Sequence, residues 1–210
     1  MLTTTKSFTW RLAAFVAGTV WMLGAAPAAA DAAAEAYVQG VLDEAEPILG
    51  EADDGALFDG LAALVDKYVD MRRVGLFTLG QYARQMTAEQ KEEYLPLFKK
   101  YATQIYQNSL SNYSGQKLNV KNSVDRSERD IIVNSKIANA RPGDSLADIT
   151  VHWRVYRNRE GKMTVVDAGA DNVWLAIEQR SQFTSIIANN GGGTKGIDAL
   201  LEQLREQVGS

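Results

Sequence analysis

His152 is the only imidazole in the 210 residues, so any acid–base or triad chemistry would have to be built around it. It falls inside an alternating pattern, and no glycine-flanked serine stands anywhere in the chain to serve as a nucleophile elbow. A lone imidazole in that setting reads as a structural or surface group. The run Gly191-Gly192-Gly193-Thr194-Lys195-Gly196 has the residue types of a phosphate loop in the wrong order. Such a loop needs Gly-Lys followed by Ser or Thr, between a strand and a helix whose first amides cradle the phosphates. Here Thr precedes Lys and the upstream element is helical, so the run is expected to be a flexible connector. The acidic pairs Asp53-Asp54 and Glu92-Glu93 are neighbours that point apart on a helix or cap. With no cysteine there is no thiol nucleophile, zinc cluster, disulfide or lipid-modified cysteine. The sequence therefore predicts no catalytic residue, no metal site and no cofactor.

What must position these residues starts with the composition, 46% hydrophobic and 23% charged, which is that of an ordinary globular chain. The first 30 residues are set apart from it. Lys6 and Arg11 precede an uncharged apolar run from Leu12 to Ala26, and Ala28-Ala29-Ala30 supplies the small residues of a cleavage point. The run is shorter than the ~20 residues a membrane-spanning helix needs. Residues 1–30 are thus expected to be a cleaved export signal, and 31–210 a single domain with room for a sizeable core. Without Lys6 and Arg11, 20 basic and 26 acidic residues remain, a formal −6, which excludes a nucleic-acid surface.

Helical periodicity opens the mature part. Val38, Val41, Leu42, Ala45 and Ile48 follow the i, i+3, i+4, i+7 rule up to Gly50. A second pattern runs from Leu57 through Tyr68 and on to Leu79. Thr87 and Gln90 form a capping box that opens the longest helix. On it Tyr94, Leu97, Phe98, Tyr101 and Ile105 make one stripe, and Ala102, Tyr106, Leu110 and Tyr113 another, an apolar face wide enough for contact on two sides. At Ser114-Gly115 the period falls to two. Residues 116–124, 130–140, 147–158 and 162–168 are predicted as four strands of an antiparallel meander. Its connections are a charged tip at 125–130, a turn at Arg141-Pro142-Gly143-Asp144 and a hairpin at 158–161. In the third strand Val151, Trp153 and Val155 share the face expected to meet the helices. Helices at 172–189 and from Ile197 to Val208 close the chain. The predicted class is α+β, with N-terminal helices, a four-stranded antiparallel curved sheet and C-terminal helices enclosing an apolar cavity. Residue patterns alone stop at an exported binding module, since an aromatic stripe at helical spacing is more often core than pocket.

The stretches Leu79-Gly80-Gln81-Tyr82-Ala83-Arg84, Met86-Thr87-Ala88-Glu89-Gln90, and Phe98 with Tyr106, Leu110 and Tyr113-Ser114-Gly115 resemble the helix-to-first-strand region of the MlaC, or toluene-tolerance, family. Val165-Val166-Asp167, Asp171-Asn172-Val173, Gln179-Arg180-Ser181-Gln182-Phe183 and Gly191-Gly192 before Leu200-Leu201 are similar to that family's C-terminal signature. The likeness extends over about residues 35–207, with Asn172 in place of the usual Gly and Trp174 in place of a small residue. It implies a periplasmic, non-enzymatic carrier that holds the acyl chains of a glycerophospholipid. Its partners would be an inner-membrane ABC transporter complex and an outer-membrane lipoprotein complex, in the retrograde traffic that maintains outer-membrane asymmetry. The implied lipid slot comprises Phe77, Tyr82, Phe98, Tyr101, Ile105, Val151, Trp153, Val155, Val165, Trp174 and Ile177. Two alternatives stay open: a hopanoid-like polycyclic cargo, suggested by Trp174, and an envelope adaptor whose apolar groups are all core.

N-terminal sequencing of the exported protein is expected to begin near Asp31; a membrane-bound product that retains the apolar segment would contradict the leader reading.

Overall fold

A computed structural model of the chain describes residues 31–50, 53–110, 117–138 and 149–209. Aspartates start the first three helices. The Asp31 carboxylate accepts from Ala34 N–H at 2.9 Å and opens α1 (Ala32–Leu49), and Asp53 accepts from Ala56 N–H at 2.8 Å and opens α2 (Asp54–Tyr68). Asp70 does the same for Arg73 N–H at 2.9 Å, opening α3 (Met71–Thr78). Each satisfies one of the orphan donors of a helix start. The apolar pattern from Leu57 to Leu79 is therefore not one helix. It breaks where Val69 becomes extended and pairs in parallel with Val165, while Asp70 N–H donates to the Val165 carbonyl at 3.1 Å. A 3-10 turn (Gly80–Arg84) leads to Thr87 and Gln90, whose reciprocal 3.1 Å bonds form the predicted capping box of α4 (Ala88–Leu110).

The strands are β1 (Leu118–Ser127), β2 (Asp130–Ile137), β3 (Thr150–Arg157), β4 (Met163–Ala170) and β5 (Val173–Trp174), antiparallel and in sequential order. Three expectations are corrected here. The charged tip shrinks to Glu128-Arg129, because Asp125 and Ser127 pair with Ile131 and Asp130 and so belong to β1. An edge strand with one face in water accommodates such residues without cost to its ladder. The sheet has five strands, since Val173-Trp174 pairs with Ala170 and Gly169 and the next helix, α5 (Leu175–Asn189), starts later than the periodicity suggested. The reversal into β5 uses left-handed residues, Asp171 at φ 46 and Asn172 at φ 71. Asx side chains tolerate that conformation best after glycine. Lastly, the glycine run is no loose connector along its whole length: Gly191 and Gly192 turn the chain with φ 95 and 65, and α6 (Gly193–Gly209) begins within the run. The leader, the Ser114-Gly115 change of period and the turn at 141–144 lie outside the described residues. So do the side chains of Tyr106 and Leu110.

Two cores form, on opposite sides of the sheet. One joins α3, α4, α5 and α6 through Tyr94, Phe98, Phe183, Ile187, Leu200 and Leu204, with Phe98 and Phe183 edge-on at 6.2 Å. The other lies between α1 and the sheet and consists of Ala34, Val38, Ile131, Val133 and Val155, with Tyr37, Leu42, Val120, Trp153 and Met163 at its margin. The class is α+β as expected. No described helix is long and apolar enough to cross a membrane.

Glycine means opposite things in two of these helices. At Gly40 of α1 an added Cβ meets nothing within 4 Å, whereas at Gly196 of α6 it would overlap the Ile187 carbonyl oxygen of α5. Gly40→Ala is expected to stabilise by about 0.5–1 kcal/mol through the unfolded state. Gly196→Ala should destabilise by about 1–3 kcal/mol by forcing the two helices apart. Thermal melts should thus shift in opposite directions, by ~2–4 °C per kcal/mol in a domain of this size.

Candidate functional site

Pairing register sorts the sheet's side chains between its faces, because directly opposed residues point the same way. Ser123, Val133 and Trp153 form one row beneath α1, with Asp125, Ile131 and Val155 beside it. This is the face expected to meet the helices and line the slot, and the helix it meets is α1, under which Trp153 and Val155 pack. The Trp153 indole N–H donates to Ser135 Oγ at 2.9 Å, and Val155 is fully buried. Helix α1, whose strongest stripe is Ala34, Val38 and Val41, competes for the most apolar sheet face and takes it.

The opposite face carries Val124, Ile132 and Arg154 in one row, and Asn122, Asn134, His152, Gly169 and Trp174 in the next. Its polar groups are satisfied sideways. Asn134 Nδ2 donates to Asn122 Oδ1 at 2.6 Å, and Asn134 Oδ1 meets His152 Nδ1 at 2.7 Å. The His152 ring stacks on Trp174 with centroids 5.7 Å apart. Gly169 lies between them in the row, and a Cβ there would press into the Val173 carbonyl and the Trp174 ring. Arg154 donates to both oxygens of Asp130, at 2.8 and 2.9 Å, which holds the Asp130 carboxyl below the usual range. Tyr156 receives the Arg73 guanidinium 3.7 Å over its ring, placing α3 on this side. A β4 bulge that skips Val166 turns Asp167 toward Arg154's row. The buried Asp167 carboxylate accepts from Ala168 N–H and Ala176 N–H, both at 2.9 Å, so it caps α5 from the sheet. Desolvation pushes its pKa up, against those two bonds and the nearby Arg154 charge.

Helices α3 and α5 rest on β4, so the β1–β3 part of this face has open apolar groups beside it. Val124 is 45% exposed, and at the β5–α5 junction Val173, Leu175 and Ile177 are 58%, 41% and 49% exposed. Val124 lies at the β1 edge, Leu175 and Ile177 stand beside Trp174 at the other edge, and Val173, paired with Ala170 in the row of Val151, belongs to the α1 face. A gap among α4, α5 and α6 beside Tyr101, Phe183 and Leu204 holds only about 30 Å³, room for a water or two. A larger hollow of about 370 Å³, open to solvent, lies on α4 beside Pro96, Lys99, Lys100, Thr103 and Gln104.

The expected lining residues thus divide. Phe98 and Tyr101 are buried in the helical core, Tyr101 bonding Gln179 Oε1 at 3.2 Å, and Phe77, Tyr82 and Ile105 pack at its margin. Arg180 lies over the Phe77 ring. Trp153 and Val155 stand across the sheet from them, and Val165 is buried at the β4 edge where Val69 pairs with it. Val151 is half-buried in β3, Trp174 sits on the open face, and Ile177 is exposed beside it. Sequence reasoning missed Val124, Ile132, Leu175 and Gly169. Alternation carried through the supposed charged tip would have found the first two. Around His152 no nucleophile is in contact, and among the described residues no group of three His, Cys, Asp or Glu could hold a metal.

An open antiparallel meander with α1 over one face, and a layer of α3 to α6 joined to its fourth strand on the other, defines an α+β fold of helices packed on a sheet. The chain belongs to the MlaC family: the profile described as "MlaC protein" matches residues 36–206. The intermembrane phospholipid transport system binding protein MlaC of Haemophilus influenzae is 24% identical over 142 residues. That match spans 67% of this chain and 63% of the relative, less than two thirds of its length. A phospholipid-binding protein of Ralstonia solanacearum, solved in complex with a phospholipid, superposes with a TM-score of 0.68 at 24% identity. The superposition covers 88% of this chain and 98% of that one.

Asp167→Asn keeps an acceptor for Ala176 N–H but removes the buried charge. Because the raised pKa means the wild type bears an unfavourable ion at neutral pH, the variant should melt as high as the wild type or higher at pH 7. That advantage should shrink as pH falls through the Asp167 pKa and the wild type becomes neutral. A variant that loses more stability at pH 7 than at pH 4 would make the charge itself a stabilising partner of Arg154.

Proposed function

We propose that the protein is a periplasmic carrier that shelters the acyl chains of a glycerophospholipid between the open sheet face and the helical layer. It would pass the lipid between an outer-membrane lipoprotein complex and an inner-membrane ABC transporter complex. The observation that carries this reading is the exposed apolar groups left on the face away from α1, Val124 at the β1 edge and, beside Trp174 at the β5–α5 junction, Leu175 and Ile177, while α1 covers the other face. Family membership and the phospholipid held by the Ralstonia solanacearum protein support it. Exposing two acyl chains of about a dozen methylenes each costs on the order of 20 kcal/mol at ~0.8 kcal/mol per methylene, so a carrier must cover them. The two cores lie apart, so the helical layer can move relative to the sheet without emptying either of them. No covalent step is needed, and export with cleavage near Ala30 places the chain between the two membranes.

Native mass spectrometry of the mature protein should find a diacyl glycerophospholipid. Val124→Trp, at a site exposed enough to change stability by no more than about 0.5 kcal/mol, should lower lipid occupancy by filling the open face. A triterpenoid mass would change the cargo to a polycyclic lipid, and protein that is empty through every mild purification would leave the adaptor role in its place.

A further inference from the structure

A second polar site lies on the sealed side of the sheet, where α1 begins. Asp31 N–H donates to Ser123 Oγ at 2.8 Å, and Ser123 Oγ passes its own proton to Glu35 Oε1 at 2.8 Å. The Asp31 carboxylate is held by Ala34 N–H at 2.9 Å and by Arg157 Nη2 at 2.6 Å. Ser123 and Asp125 pair with Val133 and Ile131, both core residues beneath α1, so the two side chains share that face two residues apart. Asp31 reaches Ser123 on one side and Arg157, two residues beyond Val155, on the other, and so spans the row of Asp125, Ile131 and Val155. In this row sits Asp125 Oδ1, the buried side-chain acceptor without a hydrogen-bond partner among the described residues. Such orphans are rare in native proteins and call for an explanation.

The charges also fail to balance. Three carboxylates, Asp31, Glu35 and Asp125, gather at this corner, where Arg157 is paired with Asp31 alone, around a backbone nitrogen that as a peptide amide has a single hydrogen to give. We propose that this corner is a binding site for a primary ammonium, the α-amino group of Asp31 set free by export processing. The inference rests on the cleavage position given above. Hydrolysis by a leader peptidase breaks the Ala30–Asp31 C–N bond, with water supplying hydroxyl to the Ala30 carbonyl carbon and a proton to the Asp31 nitrogen. The free amine, with an ordinary pKa of about 7.7–8.0, takes a further proton from solvent at neutral pH. The nitrogen then has three hydrogens: one stays on Ser123 Oγ, one goes to Asp125 Oδ1, and one is directed at Glu35 or water. A cation at a helix N-terminus is disfavoured by the macrodipole, which accounts for the carboxylates that surround this one. Processing thereby fastens α1 over the core it shares with β1, β2 and β3, and gives the Asp125 acceptor the partner it lacks among the described residues.

The test uses the chain from Asp31 to Ser210, which includes every described element, prepared with defined N-termini: a free Asp31 amine, an acetylated Asp31, and a form that retains Ala30. The free form is expected to melt several degrees above the other two. In Asp125→Asn that gap should largely disappear, the signature of direct coupling in a double-mutant cycle. Glu35→Gln, run through the same comparison, should narrow it. Equal melting of free and acetylated protein, or a gap unaffected by both substitutions, would overturn the proposal. N-terminal sequencing that places cleavage elsewhere would remove the processing step while leaving the ammonium site to stand or fall on the melting cycle.

Discussion

The Asp167 carboxylate, buried where β4 meets the first turn of α5, is the interaction on which the arrangement of this protein turns. It accepts the Ala176 N–H and so fixes where the second helical layer starts relative to the sheet. Trp174 has no capping side chain to offer α5, so the strand supplies the cap from outside the helix. With α5 placed, Phe183 and Ile187 reach Phe98, Tyr101 and α6, and the helical core closes away from the sheet. An ionised group in such surroundings is costly without partners. Its two amide donors and the field of Arg154 offset part of that cost, and the bulge at Val166 brings the carboxylate to them.

The sheet then serves two cores with different properties. Under α1, Val38, Ile131, Val133 and Val155 are fully buried. On the other side polar side chains bond along the sheet, Asn122 to Asn134 to His152. Each such bond within the surface lowers the desolvation penalty of meeting hydrocarbon. The helical layer is joined to the sheet mainly along β4, where Val69 pairs with Val165 and Asp167 caps α5, with Arg73 of α3 over Tyr156 of β3. The ion pairs of Lys67 with Glu44 and Lys99 with Asp66 join helices to one another, are exposed, and contribute little.

The two departures from the family pattern find different explanations. Asn172, where the resemblance expects glycine, sits at a left-handed φ of 71, which asparagine adopts at low cost. Trp174 is accommodated because Gly169 gives up its side-chain volume to the indole, which then lies flat against His152. The lone histidine thus acts as a platform for an aromatic ring.

The α+β class, the sequential antiparallel meander and the capping box at Thr87 were all legible in the sequence, because each is set by local periodicity or capping chemistry. Family motifs pointed to a lipid carrier for a similar reason: they are short segments whose spacing survives without any tertiary information. What tertiary structure decided was which side of β3 faces which helix. Alternation divides Trp153 from His152 but is symmetric under exchange of the two faces, and only the long-range packing of α1 breaks that symmetry. The β4 bulge sets Asp167 opposite Arg154, 13 positions away, and against Ala176 N–H, 9 away, and the extra strand at Val173-Trp174 folds back on Ala170 and Gly169 through left-handed Asp171 and Asn172; simple alternation encodes neither the skipped residue nor that reversal.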